Sequence, residues 1–169
     1  KISSEMKPFI LIVLSFLMYS NQHLNAKILN DSIPPGKNYE KAAFRLWFPD
    51  DLKLINGILV LVPGSNGDGR FLAADTLWQN FAVKHCFALI ACYFKDYEKP
   101  DSFIEQYINV SQGSGQALLN VIKKFSISSG HGELDNVPLL FWGASAGGQF
   151  NYEYACWRPE KVLAFVGNK

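Results

Sequence analysis

The chain has 169 residues, of which 49% are hydrophobic and 14% aromatic, and its formal net charge at pH 7 is +1. This composition is typical of one globular domain. Because Lys and Arg form no cluster or stripe, nothing in the sequence indicates a nucleic-acid partner.

Residues 1–26 are predicted to be a secretory signal peptide. Met6, the expected start, is followed by Lys7 and by an apolar core at residues 9–19, and a polar stretch then reaches a cleavage site after Ala26. A membrane anchor is the alternative, but the apolar core is shorter than the roughly 20 residues that span a bilayer. We therefore expect a secreted or periplasmic protein with no stable membrane span after cleavage.

The sequence contains three cysteines, so at least one must be unpaired. Cys92 lies in an apolar run and Cys156 in a helical pattern, which predicts buried thiols at both positions. None has the Cys/His spacing of a metal site, and no metal is expected. The tripeptides that begin at Asn30 and Asn109 match the glycosylation sequon, which matters only in a eukaryotic host.

The first predicted elements follow a lead-in at residues 31–38 that contains Pro and Gly and shows no periodicity. Residues 42–48 are predicted to form a strand that ends at Pro49. Residues 57–62 are continuously apolar, which favours a central strand of a parallel sheet covered by helices on both faces.

A glycine-rich loop, residues 63–70, follows this apolar strand. Its glycines free the backbone to present N–H groups to a ligand. A phosphate-binding loop would need Gly-Lys-Ser/Thr or the spacing G-x-G-x-x-G, and neither is present. A loop that donates one N–H to an oxyanion needs only a strand, a glycine and a free N–H, so we favour that interpretation.

The middle of the chain alternates between helical and strand patterns. Residues 72–84 are predicted to form a helix with Leu77, Trp78 and Phe81 on its inner side, and residues 87–94 a buried strand. After a polar connection at 95–100, residues 102–105 have the form of a capping box that opens a helix. The apolar stripe of a longer helix follows, and it is more simply core than a cofactor site: Leu118, Val121, Ile122 and Phe125.

The last elements surround a G-x-S-x-G pentapeptide at residues 143–147. A loop at 126–136 and a strand at 137–142 precede it, and a helix with Phe150, Tyr154 and Trp157 on one face follows, before a strand that begins at 162. This order of strands and helices predicts an α/β fold with a largely parallel sheet and helices on both faces.

The pentapeptide has the context of a nucleophile elbow, in which a serine hydroxyl is exposed at the head of a helix near backbone N–H donors. The turn is so tight that side chains at Gly143 and Gly147 would collide. We therefore expect Ser145 to have a positive φ and to lie beside the loop 64–67. The alternative is a glycine-rich turn without chemistry.

With these two motifs, the chain resembles an α/β-hydrolase from about Ala42 to Lys169. Within that superfamily it is similar to secreted esterases of the polyhydroxyalkanoate-depolymerase and feruloyl-esterase type. The resemblance implies an incomplete α/β-hydrolase domain at 27–169 that lacks its C-terminal part. It also implies that Ser145 is the nucleophile, that the backbone N–H groups of Ser65 and Ala146 form the oxyanion hole, that the substrate is a small-molecule or polymeric ester, and that no cofactor is used.

The chain departs from this family in two places. Pro63-Gly64 stands where the family usually has His-Gly. The family order is nucleophile, acid, histidine, whereas the printed sequence carries neither Asp nor His after Ser145. Because losing a triad member costs about 10⁴-fold in rate, we expect the N-terminal part of a serine hydrolase that is a poor enzyme as it stands. Two alternatives remain: a binding module that keeps the pocket, and a lipase or peptidase on the same fold. An open reading frame with Asp and His in the DNA after Lys169 would decide against the binding module.

None of the three histidines is expected to act as the base. His23 leaves with the signal peptide, and His85 and His131 precede strands, so each is expected about 20 Å from the Ser145 hydroxyl. Five other residues are weaker candidates. Asp68 and Asp96 are either pocket-mouth or solvated acids, while the pair Tyr93-Phe94 either lines a site or packs the sheet. Trp142 is most simply core.

Overall fold

The structure is a computed structural model that describes residues 25–98 and 105–168. Residues 1–24 of the predicted signal peptide and residues 102–104 of the predicted capping box therefore lie outside the described residues.

The described residues form one six-stranded sheet in the order β1-β2-β4-β3-β5-β6. Only β2 runs opposite to the other five strands. The segment between β1 and β2 is too short to hold a crossover helix, so β2 runs antiparallel to β1. The segment between β2 and β3 is also short, and β4, which is parallel to β3, therefore pairs antiparallel with β2. The predicted largely parallel sheet is confirmed, with these strands: β1 (Ala26–Ile33), β2 (Lys41–Pro49), β3 (Gly57–Val62), β4 (Phe87–Lys95), β5 (Leu139–Ala144) and β6 (Val162–Asn168).

β1 corrects the prediction that residues 31–38 form an irregular lead-in. It pairs along its whole length with β2, from Ala26 opposite Pro49 to Ile33 opposite Ala42. As an edge strand it is held by ladder hydrogen bonds to β2, and only Leu29 and Ile33 pack against the larger core. Its own sequence therefore carries little apolar alternation.

Among the described residues, three α-helices connect the parallel strands: α1 (Thr76–His85), α2 (Ser114–Ser129) and α3 (Ala146–Trp157). Short 3-10 turns fill the remaining connections: Gly69–Ala74, Gln106–Ile108, Val110–Gln112, Gly132–Asp135 and Pro159–Lys161. The predicted stripe of α2 is confirmed, since Leu118, Val121, Ile122 and Phe125 are all buried.

Two helix predictions need correction. The helix predicted at 72–84 begins only at Thr76, because the Asp75 carboxylate accepts a hydrogen bond from the Leu77 N–H and caps it. Leu77 then falls in the first turn, at the margin of the buried stripe, and is 65% exposed rather than inward. The predicted loop 126–136 instead contains the last turn of α2 and a 3-10 turn with buried Leu134.

Helices cover both faces of the sheet. On one face, α2 and α3 bury the larger core, to which α3 contributes Phe150 and Tyr154 and β3 contributes Val60. On the other face, α1 packs Ala82, Trp78 and Phe81 over a smaller core. The predicted two-sided arrangement is confirmed.

The sheet order reverses at β3. The chain passes from β3 through α1 to β4 on one side, then through α2 to β5 on the other, so β3 lies between its two parallel neighbours. In open α/β sheets, ligands bind outside the carboxyl ends of the strands at such a switch point. Here those ends are the loop after Val62 and the turn after Ala144.

β6 lies at the outer end of the sheet. Along its other side, β6 pairs with no strand among residues 25–98 and 105–168. Its sequence contains no charged residue, and Leu163, Phe165 and Val166 are all exposed, Leu163 by 60%. Both faces of this strand therefore present apolar surface.

The three cysteines occupy different environments, and all are free thiols. Cys92 is fully buried as predicted, and burial raises the pKa of its thiol. Cys156 is exposed, so the prediction of a buried thiol there is wrong. It lies on the outer face of α3, two residues past buried Tyr154 and away from the sheet. In the part of the chain that the structure describes, no helix could cross a membrane.

Candidate functional site

Ser145 occupies the single residue between β5 and α3. Its φ is +52° and its ψ −121°, so the predicted positive φ is confirmed. For a residue with a Cβ, this backbone conformation costs about 1–3 kcal/mol and persists only where the surroundings impose it. Here the Ser145 N–H donates to the carbonyl of Asn168 at 2.7 Å, which leaves the side chain exposed at the carboxyl edge of the sheet.

Close packing explains the two elbow glycines. A Cβ on Gly147 would lie 2.2 Å from the carbonyl oxygen of Val62 and 2.5 Å from that of Pro63. A Cβ on Gly143 would lie 2.6 Å from the backbone of Gly147 and from Nδ2 of Asn151. Since the obstacles are largely backbone atoms, both positions require glycine.

Asn151 was not singled out in the sequence, yet it fixes the geometry below the elbow. It is fully buried, and its side-chain Nδ2 donates to the carbonyl of Val166 at 3.1 Å. This hydrogen bond ties α3 to β6 on the far side of β5. No sequence signal marks it, because a polar residue in the middle of a helix usually faces solvent.

The loop 64–67 lies beside Ser145, as predicted. β3 and β5 are neighbours, with Val62 opposite Gly143. A Cβ on Gly64 would lie 3.6 Å from the Cβ of Ser145, and the N–H of Gly67 donates to the carbonyl of Gly64 at 3.0 Å to close the turn. That the Ser65 N–H serves as an oxyanion donor stays a prediction.

Ala146 is the first residue of α3, so its N–H has no acceptor within the helix. The N-terminus of a helix also carries a partial positive charge that favours anions. The backbone of this position is therefore suited to an oxyanion, although its role, like that of Ser65, remains a prediction.

An open cavity of about 740 Å³ lies next to Ser145. Its lining combines the polar side chains of Gln149 and Glu153 with the aromatic rings of Tyr152 and Phe165, which meet edge to face at 6.3 Å between centroids. Ile108, from the 3-10 turn before α2, contributes a further apolar group. This mixed surface suits a molecule with both apolar and polar parts.

Both described histidines lie at the opposite edge of the sheet from Ser145, as predicted. His85 ends α1 just before Phe87, which pairs with the first residue of β3, Gly57. His131 precedes β5, and its ring packs on Phe48 at 4.8 Å between centroids.

The His131 imidazole is also engaged by a carboxylate. Its Nδ1 lies 2.8 Å from Oε1 of Glu133, which also accepts the Ile55 N–H at 3.0 Å. Burial opposes ionisation of Glu133, but these two hydrogen bonds hold the pKa of its carboxyl below the usual value. Neither histidine approaches the elbow.

The two candidate aspartates, Asp68 and Asp96, have structural roles. The Asp68 carboxylate caps the 3-10 turn Gly69–Ala74 and accepts two hydrogen bonds from the Arg70 guanidinium, which holds the pKa of this carboxyl below its usual value. The Asp96 carboxylate accepts the N–H groups of Gln106 and Tyr107 at 2.8 and 3.0 Å.

The weaker aromatic candidates pack against the sheet. Phe94 is buried and stacks on Tyr107, and Trp142 packs on Trp78 at 5.0 Å between centroids. Tyr93 lies on the face opposite Phe94, under the Lys41 ammonium. None of these rings lines the cavity at Ser145.

No family model matches the chain, and neither does any curated protein. Solved structures do match. A bacterial heroin esterase superposes with a TM-score of 0.55 at 19% identity, over 92% of this chain and 47% of its own. An acetyl xylan esterase from Aspergillus awamori superposes with a TM-score of 0.58 at 16% identity, over 82% of this chain and 52% of its own. Carboxyl esterase 2 from Tuber melanosporum superposes with a TM-score of 0.57 at 17% identity, over 88% of this chain and 46% of its own.

These likenesses show the fold: the chain has the α/β-hydrolase fold. It spans about half the length of the solved structures that it matches.

Proposed function

We propose that this protein hydrolyses carboxylic esters through an acyl-enzyme formed on Ser145. One observation carries the proposal: an exposed serine with φ of +52°, between a strand and a helix at the switch point of the sheet, opens into a cavity. A strained, solvent-accessible serine at this position is the geometry that nucleophilic catalysis uses. That the matched structures are esterases supports the choice of an ester bond.

In the proposed reaction, the Ser145 Oγ attacks the ester carbonyl carbon while a base removes the hydroxyl proton. The carbonyl oxygen becomes an oxyanion, which the N–H groups of Ala146 and Ser65 stabilise by hydrogen bonds. The bond to the alcohol oxygen then breaks, and the alcohol leaves with the proton. Water attacks the acyl-serine by the same steps, releases the acid and restores the Ser145 hydroxyl.

The proposed base and its orienting acid come from polypeptide outside the described residues. His85 and His131 lie at the amino edge of the sheet, about a strand length from Ser145, whereas a base must approach within about 3 Å or act through one water. Without those groups, we expect the printed chain to turn over esters slowly or to act only as a binding module.

The cavity suggests the class of ester. Tyr152 and Phe165 offer an aromatic wall, and Gln149 and Glu153 offer polar groups about one and two helical turns from Ser145. We propose a short acyl or aromatic acyl ester of a polar alcohol, a class that overlaps with the small-molecule and polymeric esters that the family resemblance implies. An extended lipid chain fits this half-polar lining less well.

A covalent probe tests the nucleophile. The product of the complete gene is treated with an organophosphonate, and the labelled peptide is identified by mass spectrometry. We expect labelling at Ser145, and loss of both labelling and p-nitrophenyl acetate hydrolysis in Ser145→Ala. Ser128→Ala, which changes an exposed serine on α2, is the matched control and should behave as wild type. Labelling that persists in Ser145→Ala would place the nucleophile elsewhere.

We also propose that the protein is secreted or periplasmic, on the sequence of residues 1–26 alone. N-terminal sequencing of protein recovered outside the cytoplasm should begin at Lys27. Recovery of uncleaved protein in the cytoplasm would contradict this.

A further inference from the structure

A carboxylate from another segment of the chain accepts a hydrogen bond from the loop 64–67. The hydroxyl of Ser65 donates to Oε1 of Glu105, a residue 40 positions further along the chain. Glu105 directly precedes the 3-10 turn Gln106–Ile108, whose last residue lines the cavity at Ser145. The residue expected to supply an oxyanion donor is thus fixed to the cavity wall through its side chain.

A second connection joins the same two segments through β4. The side-chain oxygen of Asn66 accepts the Asp96 N–H at 2.7 Å, and the Asp96 carboxylate accepts the N–H groups of Gln106 and Tyr107. Asn66 has a φ of +51°, a conformation that asparagine tolerates better than most residues. The loop 64–67, the end of β4 and the turn 106–108 therefore form a closed ring of hydrogen bonds.

The turn that carries Glu105 is itself anchored in the core. Tyr107 is buried and stacks on Phe94 at 5.6 Å between centroids. Buried Asn38 donates to the carbonyls of Gln106 and Asn109 at 3.0 and 2.9 Å. Because these contacts fix the backbone on both sides of the turn, the Glu105 carboxylate has a fixed base from which to hold Ser65.

We propose that Glu105 is a positioning residue for the oxyanion hole, and this inference rests on the proposed function. Its carboxylate fixes the Ser65 side chain and so sets the direction of the Ser65 N–H, which must come within about 2.7–3.1 Å of the developing oxyanion. Since negative charge is absent from the carbonyl oxygen of the bound ester and develops only on the way to the tetrahedral intermediate, releasing Ser65 lowers kcat and leaves KM unchanged.

The test compares Glu105→Ala, Ser65→Ala and the double variant in the complete gene product, with p-nitrophenyl acetate as substrate. A misdirected oxyanion donor costs up to about 10²-fold in kcat, so we expect each single variant to lose about 10- to 100-fold with KM within about twofold of wild type. Because both changes break the same hydrogen bond, the double variant should be no slower than the slower single variant.

Glu105→Gln separates positioning from folding. Its amide oxygen still accepts the Ser65 hydroxyl proton, so this variant should recover most of the kcat lost in Glu105→Ala. A purely structural role would change the urea midpoint of the variants and would raise KM together with any loss of kcat.

The outcomes also separate the two proposals. Turnover that depends on Ser145 but is unchanged in Glu105→Ala overturns the positioning role alone. Strictly multiplicative losses in the double variant do the same, because they show that the residues act independently. No Ser145-dependent turnover in the wild-type protein overturns both.

Discussion

Asn38 provides the sharpest test of what holds the cavity wall in place. This side chain is only 5% exposed, and its amide group bridges the segment before α2 to the start of that helix. Nδ2 donates to the carbonyls of Gln106 and Asn109 and to the hydroxyl of Ser114, and Oδ1 accepts the Ser114 N–H at 3.1 Å. Asn38→Ala removes all four hydrogen bonds.

The expected loss of stability depends on which of these hydrogen-bond partners can bind water after the substitution. Ser114 is fully buried, so its N–H loses its acceptor without access to water, at about 1–3 kcal/mol. The carbonyls of Gln106 and Asn109 belong to partly or fully exposed residues and can rehydrate, which limits each loss to about 0.5–1 kcal/mol. Together these terms predict that the free energy of unfolding falls by about 3 kcal/mol.

Urea denaturation followed by the fluorescence of the four tryptophans would measure this change. Asn38→Asp is the informative second variant, because it keeps the acceptor for Ser114 but loses both N–H donors, so it should also destabilise. Gln116→Ala, which removes an exposed hydrogen bond to Asn120 on α2, should change stability by less than about 0.5 kcal/mol. If Asn38→Ala costs no more than Gln116→Ala, the assigned role is wrong.

Three other substitutions or reactions test the elbow and the thiols. Gly147→Ala forces a Cβ into two backbone carbonyls and should lower the free energy of unfolding by more than about 2 kcal/mol. The control Gly132→Ala, with open space around its Cβ, should lower it by less than about 1 kcal/mol. Equal shifts of the melting temperature in the two variants would contradict this. Ser145→Gly should melt above Ser145→Ala, since it relieves a positive φ worth about 1–3 kcal/mol; equal melting temperatures would remove the argument for strain. Under native conditions a thiol reagent should modify exposed Cys156 quickly and buried Cys92 only after unfolding, and simultaneous modification would refute the assigned burial.

The parts of the site that follow from local geometry could be predicted from the sequence. A strand, two glycines spaced four apart and a helix, all contiguous in the sequence, indicate a tight turn at Ser145. The position of the loop 64–67 also followed, because the carboxyl ends of parallel strands share one edge of the sheet.

What the sequence did not reveal depends on partners distant in the chain. β1 is a strand because β2 supplies its hydrogen bonds, and its own residues show little apolar alternation. Cys156 has the helical spacing of a core position, but the side of α3 that meets the sheet is set by Phe150 and Tyr154. The contact between Glu105 and Ser65 joins polar residues 40 positions apart, and no local pattern signals such a pair.

The uncovered flank of β6 has a consequence for the protein during its synthesis. A ribosome adds about 5–20 residues per second, so β6 emerges some time before anything made after it could cover it. An open strand without a charged residue, with Leu163 and Val166 exposed, is a template onto which the same strand of another chain can add. The yield of soluble protein should therefore depend on how many nascent chains are close together, and slower expression at low temperature should favour it over aggregates.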